Sequence, residues 1–186
     1  MSIIRLARIS DAADLVKLAE ATFRDTFAQK NTPENMNSHC LSSYGNEIQG
    51  QEIVSSEYVT FVAEIDSKLV AYAQLRWSDS PSCVSAISPG EIQRLYVDKN
   101  FHGKGLAHNL MNECLKVFEE RNTDIAWLGV WEENPRAIAF YKKFNFEEAG
   151  EHVFSLGSDP QRDIILVRPV KNFENKRHQH SYRFAR

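Results

Sequence analysis

The stretch from Glu91 to Phe144 constrains the fold more than any other part of this chain. "EIQRLYV" reads as a strand over Glu91–Val97, and "DKNFHGKGLA" reads as a glycine-containing turn. A helix follows with Leu106, Leu110, Met111, Cys114, Val117 and Phe118 on one face, at steps of three and four. "DIAWLGVW" is a second strand, Ile125–Trp131, whose continuous apolar run predicts burial on both sides. Asn134-Pro135 then opens a helix that runs to Phe144. Strand, helix and strand in this order make a β-α-β unit, so the two strands are parallel neighbours.

Around that unit the chain reads as antiparallel. "SIIRLARI" is a short strand. Ser10 is predicted to cap a helix with Asp11 and Asp14 in its first turn. Leu15, Leu18, Ala19, Thr22, Phe23, Thr26 and Phe27 form its apolar face. Thr32 and Pro33 open a second helix that Gly45 ends, and "NEIQGQEIVSS" gives a short third. Tyr58–Ile65 and Lys68–Trp77 make a hairpin about Asp66-Ser67. The loop Ser78–Gly90 is long enough to carry function or to move on binding. "EEAGEHVFSL" and "QRDIILVRPV" are two closing strands. The class is α+β, a mixed sheet flanked by helices.

With 186 residues, 42% hydrophobic and 25% charged, the chain suits one domain. The net charge of −3 leaves no footprint of a nucleic-acid binder over the whole chain. The tail 171–186 carries five basic residues and one acid, so residues 1–170 carry about −7. An acidic body suits a cationic substrate, and it suits plain solubility as well. No run approaches the ~18 apolar residues of a membrane span. The start "MSIIRLARIS" is too short and charged for a signal peptide. Cys40, Cys83 and Cys114 form no CxxC pair, which points to a reducing cytoplasm. Cys114 falls at a core position, and His102 and His108 lack metal-ligand spacing with it, so no metal is expected.

The junction after Val97 has a chemistry of its own. A strand that ends in a glycine turn and opens a helix presents outward N–H groups to an anion. Gly103 and Gly105 let the backbone approach a ligand, with Lys104 and His108 adding charge. It is neither a Walker A loop nor the dinucleotide GxGxxG, and a glycine-softened helix start is the plain alternative.

Two motifs carry a resemblance. "QRLYVDKNFHGKGLAHNLM" resembles the pyrophosphate-binding motif of the GNAT superfamily of acyl-CoA-dependent N-acetyltransferases, Gln/Arg-x-x-Gly-x-Gly/Ala, with His102 in the Gln/Arg position. "NPRAIAFYKKFNF" resembles the second GNAT motif at Asn134, Ala137, Phe140, Tyr141 and Phe146, with Asn145 where glycine is usual. "ATFRDTFAQKNTPENM", "WLGVWEENPRAIAFYKKFNF" and "DPQRDIILV" look like the bacterial PaiA-type spermidine/spermine N-acetyltransferase branch. The likeness covers residues 1–170, a single GNAT domain, and leaves 171–186 as a basic tail.

The resemblance implies a sheet of about seven strands and acetyl-CoA wedged between the splayed strands Glu91–Val97 and Ile125–Trp131. Leu95, Tyr96 and Val97 would line the pantetheine arm, with main-chain bonds from Leu95 and Val97. The turn His102, Gly103, Lys104, Gly105, Leu106 and Ala107, with His108, would hold the pyrophosphate. Asn134 would contact the reactive end and Lys143 a CoA phosphate. Tyr141 would protonate the departing thiolate, since a thiol of pKa about 8.5 leaves beside a phenol of about 10. By helical periodicity alone, Tyr141 is a half-buried aromatic in an apolar stripe.

An alkylamine of pKa near 10.4 is about 0.04% neutral at pH 7, so a proton must leave it. Glu91 is the candidate base, directly or through water, and a solvated strand-end charge is its plain reading. Gln93 would at most orient a water. Asp25, Glu34, Glu132 and Glu133 are candidate carboxylates for a distant ammonium, with Trp77 and Trp131 as cation–π faces. The expected acceptor is a small polyamine. A protein N-terminus, an aminoglycoside-like amine, or a CoA-binding regulatory module without turnover are the alternatives. A homodimer is expected, with no membrane or nucleic-acid partner. Salt-sensitive nucleic-acid binding by the tail is the weaker remaining idea.

Overall fold

The computed structural model describes residues 2–170, so the basic tail lies outside the described residues. Twelve regular elements follow in chain order. They are β1 (Ile3–Leu6), α1 (Ala12–Phe27), α2 (Pro33–Ser43), α3 (Asn46–Val54), β2 (Tyr58–Ile65), β3 (Lys68–Arg76), β4 (Pro89–Val97), α4 (Leu106–Glu120), β5 (Ile125–Trp131), α5 (Pro135–Lys143), β6 (Glu147–Leu156) and β7 (Asp159–Pro169). The seven strands make one sheet in the order β1-β2-β3-β4-β5-β7-β6, antiparallel except for β4 beside β5. This is the mixed α+β sheet that the sequence implies.

The helices cover both faces. On one, Leu106, Leu110, Met111, Cys114 and Phe118 of α4 pack on Ala71, Ala73, Leu75, Ile92 and Leu128. On the other, Leu15, Leu18, Ala19 and Phe23 of α1 join Met36, Cys40, Val62 and Tyr72. No helix among the described residues is long and apolar enough to cross a membrane.

Local signals worked where their chemistry was self-contained. Thr32 Oγ1 accepts the Asn35 N–H at 3.2 Å, as an N-cap should. Asp66 and Ser67 both take positive φ, 49° and 62°, the twist a two-residue hairpin needs. Ser10 is not a cap. It sits in a 3-10 turn, Ile9–Asp11, and α1 begins at Ala12. The cause is Arg5, which draws the Asp11 carboxylate to it at 2.6 Å while Asp11 also takes the Arg8 N–H at 2.7 Å. β4 starts two residues before Glu91, because Asp124 beside β5 accepts the N–H groups of Ile87 and Ser88 and holds that end of the loop in place.

Two irregularities in β4 position the site. The register with β3 runs Arg94 to Gln74 and Ile92 to Leu75, so Gln93 is an extra residue in a β-bulge. The parallel pairing with β5 lasts only through Pro89–Ile125, Gly90–Ala126 and Glu91–Trp127. Beyond that point β4 stays with β3 to Val97 and β5 stays with β7 to Trp131, so the two strands diverge. Gly90 lies at the base of this divergence. A Cβ there would come within 2.5 Å of the Phe118 ring. Gly90→Ala is expected to lower stability by about 1–3 kcal/mol in urea unfolding, as overpacking of a full core does.

Candidate active site

The divergence of β4 and β5 opens a cleft of about 520 Å³. Leu95, Tyr96 and Val97 form one wall, and Trp131, Asn134, Ala137 and Tyr141 form the other. The Asp98 N–H donates to Val70 C=O on β3 at 2.8 Å. By the two-residue period of a strand, the main-chain groups of Leu95 and Val97 therefore turn away from β3 and toward the gap. One of them is already engaged. His102 Nε2 lies 2.9 Å from Val97 C=O, and Arg136 Nη1 lies 2.8 Å from His102 Nδ1. A guanidinium only donates, so Nδ1 accepts and Nε2 carries the proton given to Val97.

The mouth of the cleft is the turn before α4. Gly103 and Gly105 sit at φ 76° and 78°, and nothing lies within 4 Å of where their Cβ atoms would stand. α4 has no side-chain cap at its start. Its first N–H groups, with the positive end of the helix dipole, are left for an anion. His102, Gly103, Gly105, Leu106 and Ala107 all line this opening. Lys104 instead folds over the Phe101 ring at 4.5 Å, His108 packs on Phe144 at 5.0 Å, and Lys143 ends α5; all three stand outside the cleft. Arg136 and Lys99 are the cations that line it, and Lys99 is paired with Asp25.

A second cavity of about 400 Å³ continues inward and shares Leu95, Tyr96, Trp131, Asn134, Ala137 and Tyr141 with the first. Tyr141 thus stands where the two meet. It is buried, and burial holds its hydroxyl well above the ordinary phenol value, so it stays protonated. Asn134 fixes the start of α5, its Oδ1 accepting the Ala137 N–H at 3.1 Å. Deeper in, Glu91 is buried against Arg76, with Nε and Nη2 at 2.7 and 2.6 Å from Oε2. Desolvation raises the Glu91 pKa, and Arg76 offsets this only in part. Gln93 Oε1 and Trp127 Nε1, both from cavity-lining residues, are buried with no partner among the described residues. Phe23, Phe27, Tyr44 and Phe154 give aromatic walls, and Asp163 and His152 lie at the far side.

Over residues 14–146 the sequence matches the model of the acetyltransferase (GNAT) family. The chain belongs to this family. An uncharacterized N-acetyltransferase of Lactobacillus delbrueckii subsp. lactis is 29% identical over 174 residues, 91% of this chain and 99% of that one. An N-alpha-acetyltransferase of Sulfolobus acidocaldarius is 26% identical over 163 residues, 84% of this chain and 87% of that protein. Among solved structures, the PaiA N-acetyltransferase of Thermoplasma acidophilum, in complex with coenzyme A, superposes with a TM-score of 0.71 at 24% identity, over 91% and 99% of the two chains.

A GNAT enzyme takes its acetyl group from acetyl-CoA, and the residues here fit that donor. The free main chain of Leu95 suits an amide-bearing arm, and the open glycine turn with uncapped α4 suits a diphosphate. No group of three or more metal-ligating side chains gathers among the described residues.

The rim carboxylates of this GNAT chain are largely neutralised. Asp25 lines the cleft but binds Lys99 at 2.8 Å, and Glu133 lines it paired with Lys30, which also lies over the Trp131 ring. Glu34 is exposed on α2, Glu132 pairs with Arg162 at 2.8 Å, and Trp77 donates to Thr123 Oγ1 at 3.1 Å; none of these three lines either cavity. Sequence reasoning missed Arg136, His152 and Asp163. Arg136 carried a signal, a cation in the first turn after Asn134-Pro135; the other two meet only through the β6–β7 register.

Proposed function

We propose that this GNAT enzyme transfers the acetyl group of acetyl-CoA to a primary amine of a small linear polyamine, such as spermidine or spermine, by direct attack in a ternary complex. The observation that carries the reading is the second cavity. It joins the donor cleft at Tyr141, its walls are aromatic, and the carboxylates of Glu91 and Asp163 both line it. Aromatic faces and carboxylates together suit an alkylammonium. In this reading Leu95 and the turn 102–107 position the donor, with Arg136 adding charge at the mouth. Tyr141 hydrogen-bonds the departing sulfur and supplies its proton. Holding amine and thioester in one water-poor cleft contributes most of the rest, with no covalent enzyme intermediate.

A second acceptor has one observation in its favour: the similar Sulfolobus protein is an N-alpha-acetyltransferase, which suggests a peptide N-terminus. Thiol release from acetyl-CoA separates the two. Spermidine or spermine is expected to raise release at least about tenfold over buffer, an effect of roughly 1.4 kcal/mol. Release driven only by N-terminal peptides moves the acceptor to the second reading. Binding of acetyl-CoA without release to any amine leaves a non-catalytic CoA-binding module.

A further inference from the structure

We infer that Asp163 and His152, reached across Gly129, form the place where the acceptor's ammonium docks and gives up its proton. This rests on the primary-amine reading above. The opening is made by a missing side chain. Leu128 and Val130 of β5 are 1% and 6% exposed, yet Gly129 between them is exposed, and it lines the inner cavity between Trp127 and Trp131. A Cβ on Gly129 would stand 3.3 Å from Asp163 Oδ2 and 3.3 Å from His152 Cε1. The sheet backbone is therefore bare where these two side chains face the cavity.

Asp163 pairs with Trp131 on β5 and with His152 on β6, so it lies between those two strands, level with the end of β5. Its Oδ2 is 3.9 Å from His152 Nε2, too long for a hydrogen bond. Among the described residues it has no other ion-pair or hydrogen-bond partner, which leaves its lone pairs for a ligand donor. The charged groups facing it do not neutralise it. Arg76 is held by Glu91, and Arg94 by Glu52 at 2.8 Å. His39 is stacked on Phe23 at 4.2 Å, and burial, then Arg94, lower its pKa. Tyr44, Tyr96 and Tyr141 are held protonated by burial.

Desolvation lifts the Asp163 pKa to about 6. The carboxylate is ionised at pH 7 and is a better base than an exposed one. One proton passes from the ammonium to Asp163 Oδ2 and leaves to solvent on the side of His152, whose side chain is 36% exposed. The amine lone pair forms the C–N bond as the C–S bond breaks. The second N–H proton leaves by the same carboxylate, and Tyr141 gives one proton to the thiolate and regains one from solvent. The sum is ammonium plus thioester giving amide, thiol and one released proton.

The test is kcat/KM for spermidine against pH, at saturating acetyl-CoA, in wild type, Asp163→Asn, His152→Gln, Glu91→Gln and Gly129→Ala. Wild type is expected to lose activity as pH falls through about 6. Asp163→Asn should lose that acid limb and at least ~10²-fold in kcat/KM, with acetyl-CoA affinity kept. Gly129→Ala should raise the amine KM and leave acetyl-CoA affinity alone. His152→Gln should slow the reaction and keep the limb. An Asp163→Asn enzyme with a wild-type limb and activity, or a limb lost in Glu91→Gln instead, overturns the inference while the amine reading stands. A wild type that turns over no amine overturns both. Asp163→Asn removes a desolvated charge without a cationic partner, so its thermal unfolding temperature should not fall below wild type, which excludes misfolding as the cause of lost activity.

Discussion

Replacing Tyr141 with phenylalanine is expected to lower kcat by about 10²–10³-fold and to leave acetyl-CoA affinity within about twofold. The substitution keeps the ring that packs on Phe140 and Phe146, at 5.4 and 6.0 Å between centroids, so α5 and its Asn134 cap stay in place. It removes only the hydroxyl where the two cavities meet. A departing thiolate has a pKa of about 8.5 and leaves poorly unless a donor meets it. Burial raises the Tyr141 pKa, so the donor is present at every working pH and adds no alkaline limb of its own. Steady-state kinetics with calorimetry for acetyl-CoA decides the matter. An unchanged kcat would remove Tyr141 from the chemistry; equal losses in kcat and affinity would make it a binding residue.

Glu52→Ala is expected to destabilise the fold by about 3–5 kcal/mol. Its partner Arg94 projects from β4 with 13% of its side chain exposed, and Glu52 shows 12%. The guanidinium also reaches Gln74 Oε1 at 2.6 Å and lies 5.4 Å from the Tyr44 ring centroid. Glu52 further takes the side-chain amides of Gln49 and Gln74. Removing the carboxylate leaves a buried cation short of its anion, which penalises the folded state far more than the intact pair stabilises it. Since Arg94 supports Tyr44, which walls the inner cavity, the amine KM should rise as well. Urea unfolding gives the stability change, and the double variant Glu52→Leu/Arg94→Met should recover much of it. A loss below about 1 kcal/mol would mean the pair is more solvated than its geometry indicates.

What the sequence announced was whatever a local pattern can encode. The hairpin at Asp66-Ser67, the Thr32 cap and the Asn134 cap follow from residues within a turn of one another, and the β-α-β unit from the order of elements along one unbroken stretch. Asn145 takes φ 60°, in keeping with its place at a position where glycine is usual. The donor side of the cleft was legible for the same reason, since one strand, one turn and the next helix supply most of it. The acceptor side was not. Asp25, Glu132 and Glu133 are visible as acids, but their partners Lys99, Arg162 and Lys30 are far along the chain. Lys104 and His108 carry the right charge, yet each packs on an aromatic ring and neither lines the cleft. His152 and Asp163 meet only because β6 and β7 pair in one register, and no spacing along the chain records that.

The three-residue join between β4 and β5 gives the enzyme a seam. Strands β1–β4 and β5–β7 are two half-sheets stitched at one end, and the main chain of Leu95 at the open end has no strand to complete it. An extended amide chain laid in the gap is, in backbone terms, a rung that closes the ladder. An acetyl donor bound in that gap would be a removable piece of the protein's own sheet. Ligation and folding share one ledger: at a hundred times the dissociation constant, the donor adds about 2.7 kcal/mol to the stability of the folded state. Added acetyl-CoA is thereby expected to raise the thermal unfolding temperature of the enzyme.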